Sequence, residues 1–128
     1  MRTVAILLCT LLCACNMIAC SNSVSDSDTR YKLYPTTNMW TFLKLDTETG
    51  KIWQVQYSTR GDDTRFELPL NSGDIAKTLK KSKKVGRYEL YPTQNMYNFI
   101  LLDKIDGDTY QVQWGMDASS RMLMKISK

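Results

Sequence analysis

The chain has 128 residues, a formal net charge of +4, four cysteines and no histidine. That length suits one compact domain rather than two, and the lack of histidine excludes serine, cysteine and zinc hydrolases that need a histidine base or ligand. Because Cys9, Cys13, Cys15 and Cys20 all fall in the first twenty residues, the rest of the chain has no cysteine for a disulfide framework.

Residues 1–19 place Arg2 before a nearly unbroken apolar run from Val4 to Ala14, the charge order of a secretory signal peptide. The run is too short to cross a bilayer core as a helix, which takes ~20 residues. Small residues precede a cysteine twice, at Leu12-Cys13-Ala14-Cys15 and at Met17-Ile18-Ala19-Cys20. This resembles the lipobox of bacterial lipoproteins, and the resemblance implies cleavage before Cys20 and acylation of its sulfur, with Cys15 as the alternative. The segment 20–29 continues after Cys20 as SNSVSDSDT, a polar stretch suited to a flexible tether.

From Arg30 the chain reads RYKLYPTTNMWTFLKLDTETGKIWQVQYS, and 57 residues later, from Arg87, RYELYPTQNMYNFILLDKIDGDTYQVQWG. The two copies align without a gap over 29 residues and agree at 15, so the domain at 30–128 is an internal duplication of repeat 1 (30–70) and repeat 2 (87–128). Each copy predicts three strands. In the first, Tyr31, Leu33, Tyr88 and Leu90 alternate with charges and are expected to face inward; Pro35 and Pro92 then end the ladder.

The second strands, Trp40 to Asp46 and Tyr97 to Asp103, are apolar on both sides apart from Thr41, Lys44 and Asn98. They nominate Phe42, Leu43, Leu45, Phe99, Ile100 and Leu102 as core. Gly50 and Gly107 close the following hairpins. The third strands alternate cleanly, which predicts Trp53, Val55, Tyr57, Tyr110, Val112 and Trp114 inward and Gln54, Gln56, Gln111 and Gln113 outward. A fourth strand per copy, Arg65 to Leu70 and Arg121 to Ile126, aligns with a one-residue gap.

Between the copies, within the linker at 71–86, Asp74 is a helix N-cap candidate, Ile75 and Leu79 lie four apart, and Gly86 stands past the end, which predicts a short helix near 75–84. The expected fold is all-β and mainly antiparallel. Two duplicated three- to four-stranded meanders, related by a pseudo-twofold and burying each other's aromatic faces, pack as one sandwich or barrel-like domain, since an isolated small sheet is marginal in water.

YPTxNMxxF, LDxxxG and QVQ recur in order, and with them the chain resembles small exported lipoproteins of the Bacteroidota type that carry this tandem repeat. The resemblance implies export and a paired repeat, and it brings no catalytic role. LDTETGKIW is also similar to the inner hairpin of quinoprotein-type β-propeller blades, although two blades cannot close a ring within one chain.

The carboxylates Asp46, Glu48, Asp103, Asp106 and Asp108 sit in hairpin loops, where turn capping is their expected role in place of acid–base work or calcium binding. No catalytic residue, metal site or cofactor is expected. Lys77, Lys80, Lys81, Lys83 and Lys84 concentrate charge, but no aromatics are interleaved as a base-stacking platform requires, so nucleic acid is not an expected partner.

What remains is binding. The amides of Gln54, Gln56, Gln111 and Gln113 suit sugar hydroxyls or a protein surface, and Trp40 or Tyr97 suits stacking on a pyranose. The expected function is a non-catalytic envelope lipoprotein, held in the outer membrane by its lipid anchor and acting as a protein-binding or structural module. The alternative is a glycan-binding lipoprotein that closes a propeller by oligomerising.

Overall fold

The computed structural model describes residues 29–70 and 74–128. The signal, Cys20, almost all of the tether and 71–73 of the linker lie outside the described residues. The elements run β1 (Tyr31–Pro35), β2 (Thr41–Asp46), β3 (Ile52–Gln56), β4 (Phe66–Pro69), α1 (Ile75–Thr78), β5 (Tyr88–Pro92), β6 (Asn98–Asp103), β7 (Thr109–Gln113) and β8 (Met122–Lys125). They form two four-stranded antiparallel meanders, β1-β2-β3-β4 and β5-β6-β7-β8, one per repeat. Neither sheet closes into a barrel, and the two share one core.

Local chemistry matches the sequence at the turns. Gly50 and Gly107 take positive φ of 76° and 69°, and their N–H groups donate to the carbonyls of Asp46 and Asp103. Asp46 and Asp103 also cap their own loops, accepting from the N–H groups of Glu48 and of Ile105 and Asp106, respectively. The fourth strands form in the gapped register, Phe66 pairing with Gln56 as Met122 pairs with Gln113.

The linker helix is shorter than predicted. Asp74 caps it by accepting from the Lys77 N–H, but Lys80 turns left-handed at φ 53°. The N–H groups of Lys80 and Lys81 then bond back to the carbonyls of Lys77 and Ala76, a Schellman ending that needs no glycine here. Gly86 lies well beyond the helix and donates its N–H to Thr47 Oγ1.

The main departure concerns which side of each sheet is buried. Cross-strand pairing puts Gln54 beside Leu43 and Trp53 beside Lys44, so each sheet has a glutamine side and an aromatic side. Repeat 2 buries its aromatic side: Tyr88, Leu90, Phe99, Tyr110, Val112 and Trp114 are core as predicted, and Leu101, which the sequence did not nominate, joins them. Repeat 1 does the opposite. Its glutamine side supplies Leu43, Leu45 and Ile52 to the same core and buries Gln54 completely, while Tyr31 and Leu33 on its aromatic side are 50% and 61% exposed.

The expected pseudo-twofold is therefore absent. The glutamine side of the first sheet lies on the aromatic side of the second. The inward assignment of Tyr31, Leu33, Trp53, Val55 and Tyr57 is corrected, as is the full burial of Phe42, Ile100 and Leu102, which are only half-buried. The physical reason lies in what each side can hide. Lys44 occupies the centre of the aromatic side in repeat 1 where repeat 2 has Leu101, and Ile52 strengthens the glutamine side of repeat 1 where repeat 2 has Thr109.

Thr47 joins the halves. It is fully buried, its carbonyl accepts from the Tyr88 N–H, and its hydroxyl donates to the carbonyls of Thr29 and Arg30. Leu70, at the end of repeat 1, and Ile75 and Ala76 of the linker complete the core.

Candidate binding surface

The repeated YPTxNM loop presents an aromatic ring. Thr36 Oγ1 accepts from the Asn38 N–H and donates to the carbonyl of Thr41, and Asn38 Oδ1 accepts from the Trp40 N–H. Thr93, Asn95 and Tyr97 repeat the same network. Beyond the strand ends, the Tyr57 N–H donates to the Trp40 carbonyl and the Trp114 N–H to the Tyr97 carbonyl. This brings Trp40 onto Tyr57 and Tyr97 onto Trp114, with ring centroids 5.3 Å apart in both.

The two pairs then differ in their surroundings. Trp114 is buried, its indole N–H donating to the Met96 carbonyl. Tyr57 is open, and with Trp40 it begins an aromatic strip that continues along the exposed side of the first sheet. Phe42 lies 6.1 Å from Tyr57 and Tyr31 lies 6.4 Å from Trp53, ring to ring. Lys44 Nζ sits 4.5 Å over the Trp53 ring and pairs with Glu67 across β3, and Lys51 Nζ stands 5.0 Å over the same ring. A cleft of about 420 Å³ opens at the end of the strip, lined by Trp40, Gln56, Tyr57, Ser58, Thr59, Arg60 and Thr64.

The four glutamines do not form one outward surface. Gln54 lies between the sheets with Nε2 3.8 Å from Met116 Sδ, and its Oε1 has no hydrogen-bond partner among the described residues. Gln56 is half-buried at the cleft. Gln111 and Gln113 are on the outer side of the second sheet, where they donate to Asn98 Oδ1 and to the Ser120 carbonyl. Trp40 and Tyr97 are exposed, at the same corner of each repeat. Cys20 lies outside the described residues.

A second polar assembly, without a sequence-level prediction of its pairing, surrounds the second hairpin. Arg87 grips Asp103 through two parallel hydrogen bonds of 3.0 and 2.8 Å and reaches Asp106 at 2.7 Å. Lys81 Nζ lies 2.7 to 2.9 Å from carboxylates of Asp103, Asp106 and Asp108. The three carboxylates converge as cation ligands would, but the lysine ammonium fills their centre. This is a structural ion cluster.

Burial works to raise the pKa of Asp103, yet its bonds from Arg87 and Lys81 outweigh that and hold it down at about 2. Burial likewise opposes the charge of Lys81, and the hydrogen bonds to Asp103, Asp108 and Asp106 raise its pKa well above the usual lysine range. The signal for this cluster was the shared Arg at the head of each repeat and the shared Asp at each hairpin. The first copy has a looser version, Arg30 with Asp46 and Glu48 at 3.2 and 3.3 Å.

No protein-family model matches the chain, and no curated protein or solved structure matches it.

Proposed function

We propose that the protein is a non-catalytic, lipid-anchored module of the bacterial envelope, exported to the outer membrane, that binds a protein partner through the open aromatic side of its first sheet. The observation that carries this reading is the uncovered copy of a core face. Tyr31, Leu33, Phe42, Trp53, Val55 and Tyr57 repeat the pattern that the second sheet buries; here they are half-buried to exposed around the Lys44–Glu67 pair, and an uncovered apolar patch of this kind marks an interaction site. The chain's lack of histidine and the engagement of Asp103, Asp106 and Asp108 by Lys81 and Arg87 support a role without chemistry of its own.

The test compares capture from envelope extract by the wild-type chain and by Val55→Glu. A fall in captured protein with the variant, and not with Lys84→Glu on the exposed linker, is expected; identical capture by all three, or turnover of any substrate, overturns the reading. Anchoring rests on the small residue before Cys20 and the polar tether after it. Cys20→Ala is expected to leave precursor or to release the protein from the membrane fraction, since acyl chains add ~0.8 kcal/mol per buried methylene. If Cys15→Ala does so instead, Cys15 carries the lipid.

The cleft favours a second reading, a glycan site. Trp40 and Tyr57 offer stacking faces, and Gln56 and Arg60 offer hydrogen bonds at its wall. Titration with neutral oligosaccharides, followed by tryptophan fluorescence in wild type and Trp40→Ala, decides it; an unchanged spectrum with every sugar rejects it.

A further inference from the structure

Within one chain, the glutamine side of repeat 1 covers the aromatic side of repeat 2. The same chain leaves open the aromatic side of repeat 1 and the glutamine side of repeat 2. These two open surfaces are the two halves of the contact already made inside the molecule, carried at its opposite ends. We propose that the occupant of the aromatic side of repeat 1 is the glutamine side of repeat 2 from a second copy of this chain. Copies then associate head to tail, continuing the stacking order begun within each one. The inference rests on the reading of that aromatic side as a binding surface and names its partner.

Concerted sequence differences between the repeats support this choice. In the internal contact the aromatic side offers Leu101 and Leu123; on the open copy the corresponding register positions hold Lys44 and Glu67, paired with each other and partly in water. The covering glutamine side carries Thr41 and Ile52, whose counterparts on the open glutamine side are Asn98 and Thr109. Both halves of the unmade contact are therefore more polar than their counterparts in the internal one. An association surface that also spends time in water has this character, whereas a permanent core does not.

Apolar matter remains on both halves. Trp53 and Val55 stand on one, and Ile100, Leu102 and Met124 on the other, Met124 being 54% exposed. Because the two halves are different surfaces, the contact is heterologous. It forms a ring if the rotation closes and an open filament if it does not.

The experiment uses the full, lipidated chain in membranes or detergent, with two single-cysteine variants, Val55→Cys on β3 and Gln111→Cys on β7, and a bis-maleimide of about 10 Å, the spacing between stacked sheets. Both positions are half-buried on outer sides, so thermal melts are expected to show both variants folded. Mixed together, the two variants are expected to cross-link into dimers, and each alone is not. A chain with both substitutions is expected to give a ladder of multimers.

Cross-linking by Val55→Cys alone overturns the proposal in favour of a twofold contact. No cross-linking in the mixture, with the wild-type chain sedimenting as a monomer at every concentration, overturns it outright. In that case, capture of another protein that depends on Val55 would leave the binding reading standing with a different partner. Val55→Glu in the wild-type background is expected to weaken self-association on the order of tenfold or more, because the new charge would be desolvated without a partner.

Discussion

If the repeats bury opposite sides, equivalent substitutions in the two copies have unequal effects, and the sign of the inequality reverses between sides. Leu45 and Leu102 are counterparts on the glutamine side; Leu45 has no exposed surface and Leu102 is half-buried. Leu45→Ala removes three carbons at ~0.8 kcal/mol each, roughly 2.4 kcal/mol, and the cavity left beside Ile52 adds to this within the ~2–5 kcal/mol range of such truncations. Leu102→Ala gives up about half that contact with water nearby, about 1 kcal/mol. On the aromatic side the order reverses. Trp114→Ala loses a buried ring and is expected to cost ~3–5 kcal/mol, whereas Tyr57, which is 43% exposed, is expected to cost about 1 kcal/mol. Thermal melts in dilute solution, where copies are apart, measure this directly. For a domain of this size each kcal/mol moves the midpoint by roughly 4–8 °C, so the two members of each pair separate clearly. Equal losses within both pairs would restore the twofold arrangement and refute the reasoning.

Acid offers another check. The folded-state pKa of Asp103 is about 2 against an ordinary value of 3.8, so its contribution is fully present above pH 4 and is lost as pH falls toward 2, on the order of 2 kcal/mol. Urea midpoints measured from pH 5 to pH 2 are expected to fall over that window and to fall less steeply in Asp103→Asn, which is also destabilised at neutral pH because Arg87 loses its main partner; identical slopes would reject the assignment. The hairpin glycines are expected to differ as well. Both have positive φ, which costs alanine about 1 kcal/mol, but a Cβ on Gly50 would stand 2.9 Å from Ile75 Cδ1 while one on Gly107 meets nothing within 4 Å. Gly50→Ala should therefore melt at a lower temperature than Gly107→Ala, and coincident melts would disprove the docking of α1 against the first hairpin.

Strand order, hairpin closure and capping were legible because each depends on neighbours in sequence. Alternation at QVQ, glycine after Asp-x-x-x and the Thr–Asn pair of YPTxNM encode them within a few residues. The candidate surface was legible in part: Trp40 and Tyr97, named for the stacking faces they could offer, are exposed. Gln111 and Gln113 lie on the outer side as alternation put them, but Gln54, and Gln56 on the same side, were misjudged because alternation says that two sides differ without saying which one meets another sheet. Where both sides carry apolar residues, that choice is made only when a second sheet arrives.

The sequence by itself determined the duplication, the two antiparallel meanders and the hairpins between their strands, since local pattern and turn chemistry suffice for these. Tertiary structure alone decided that repeat 1 turns its glutamine side to the core and repeat 2 its aromatic side. The identities shared by the repeats are silent on this, being the same in both copies. The differences carry it: Leu101 can be buried where Lys44 would have to shed its hydration, and Ile52 gains from burial where Thr109 gains less. Two identical sheets could meet symmetrically, but these two have been made complementary by a handful of substitutions whose effect exists only across the gap between them.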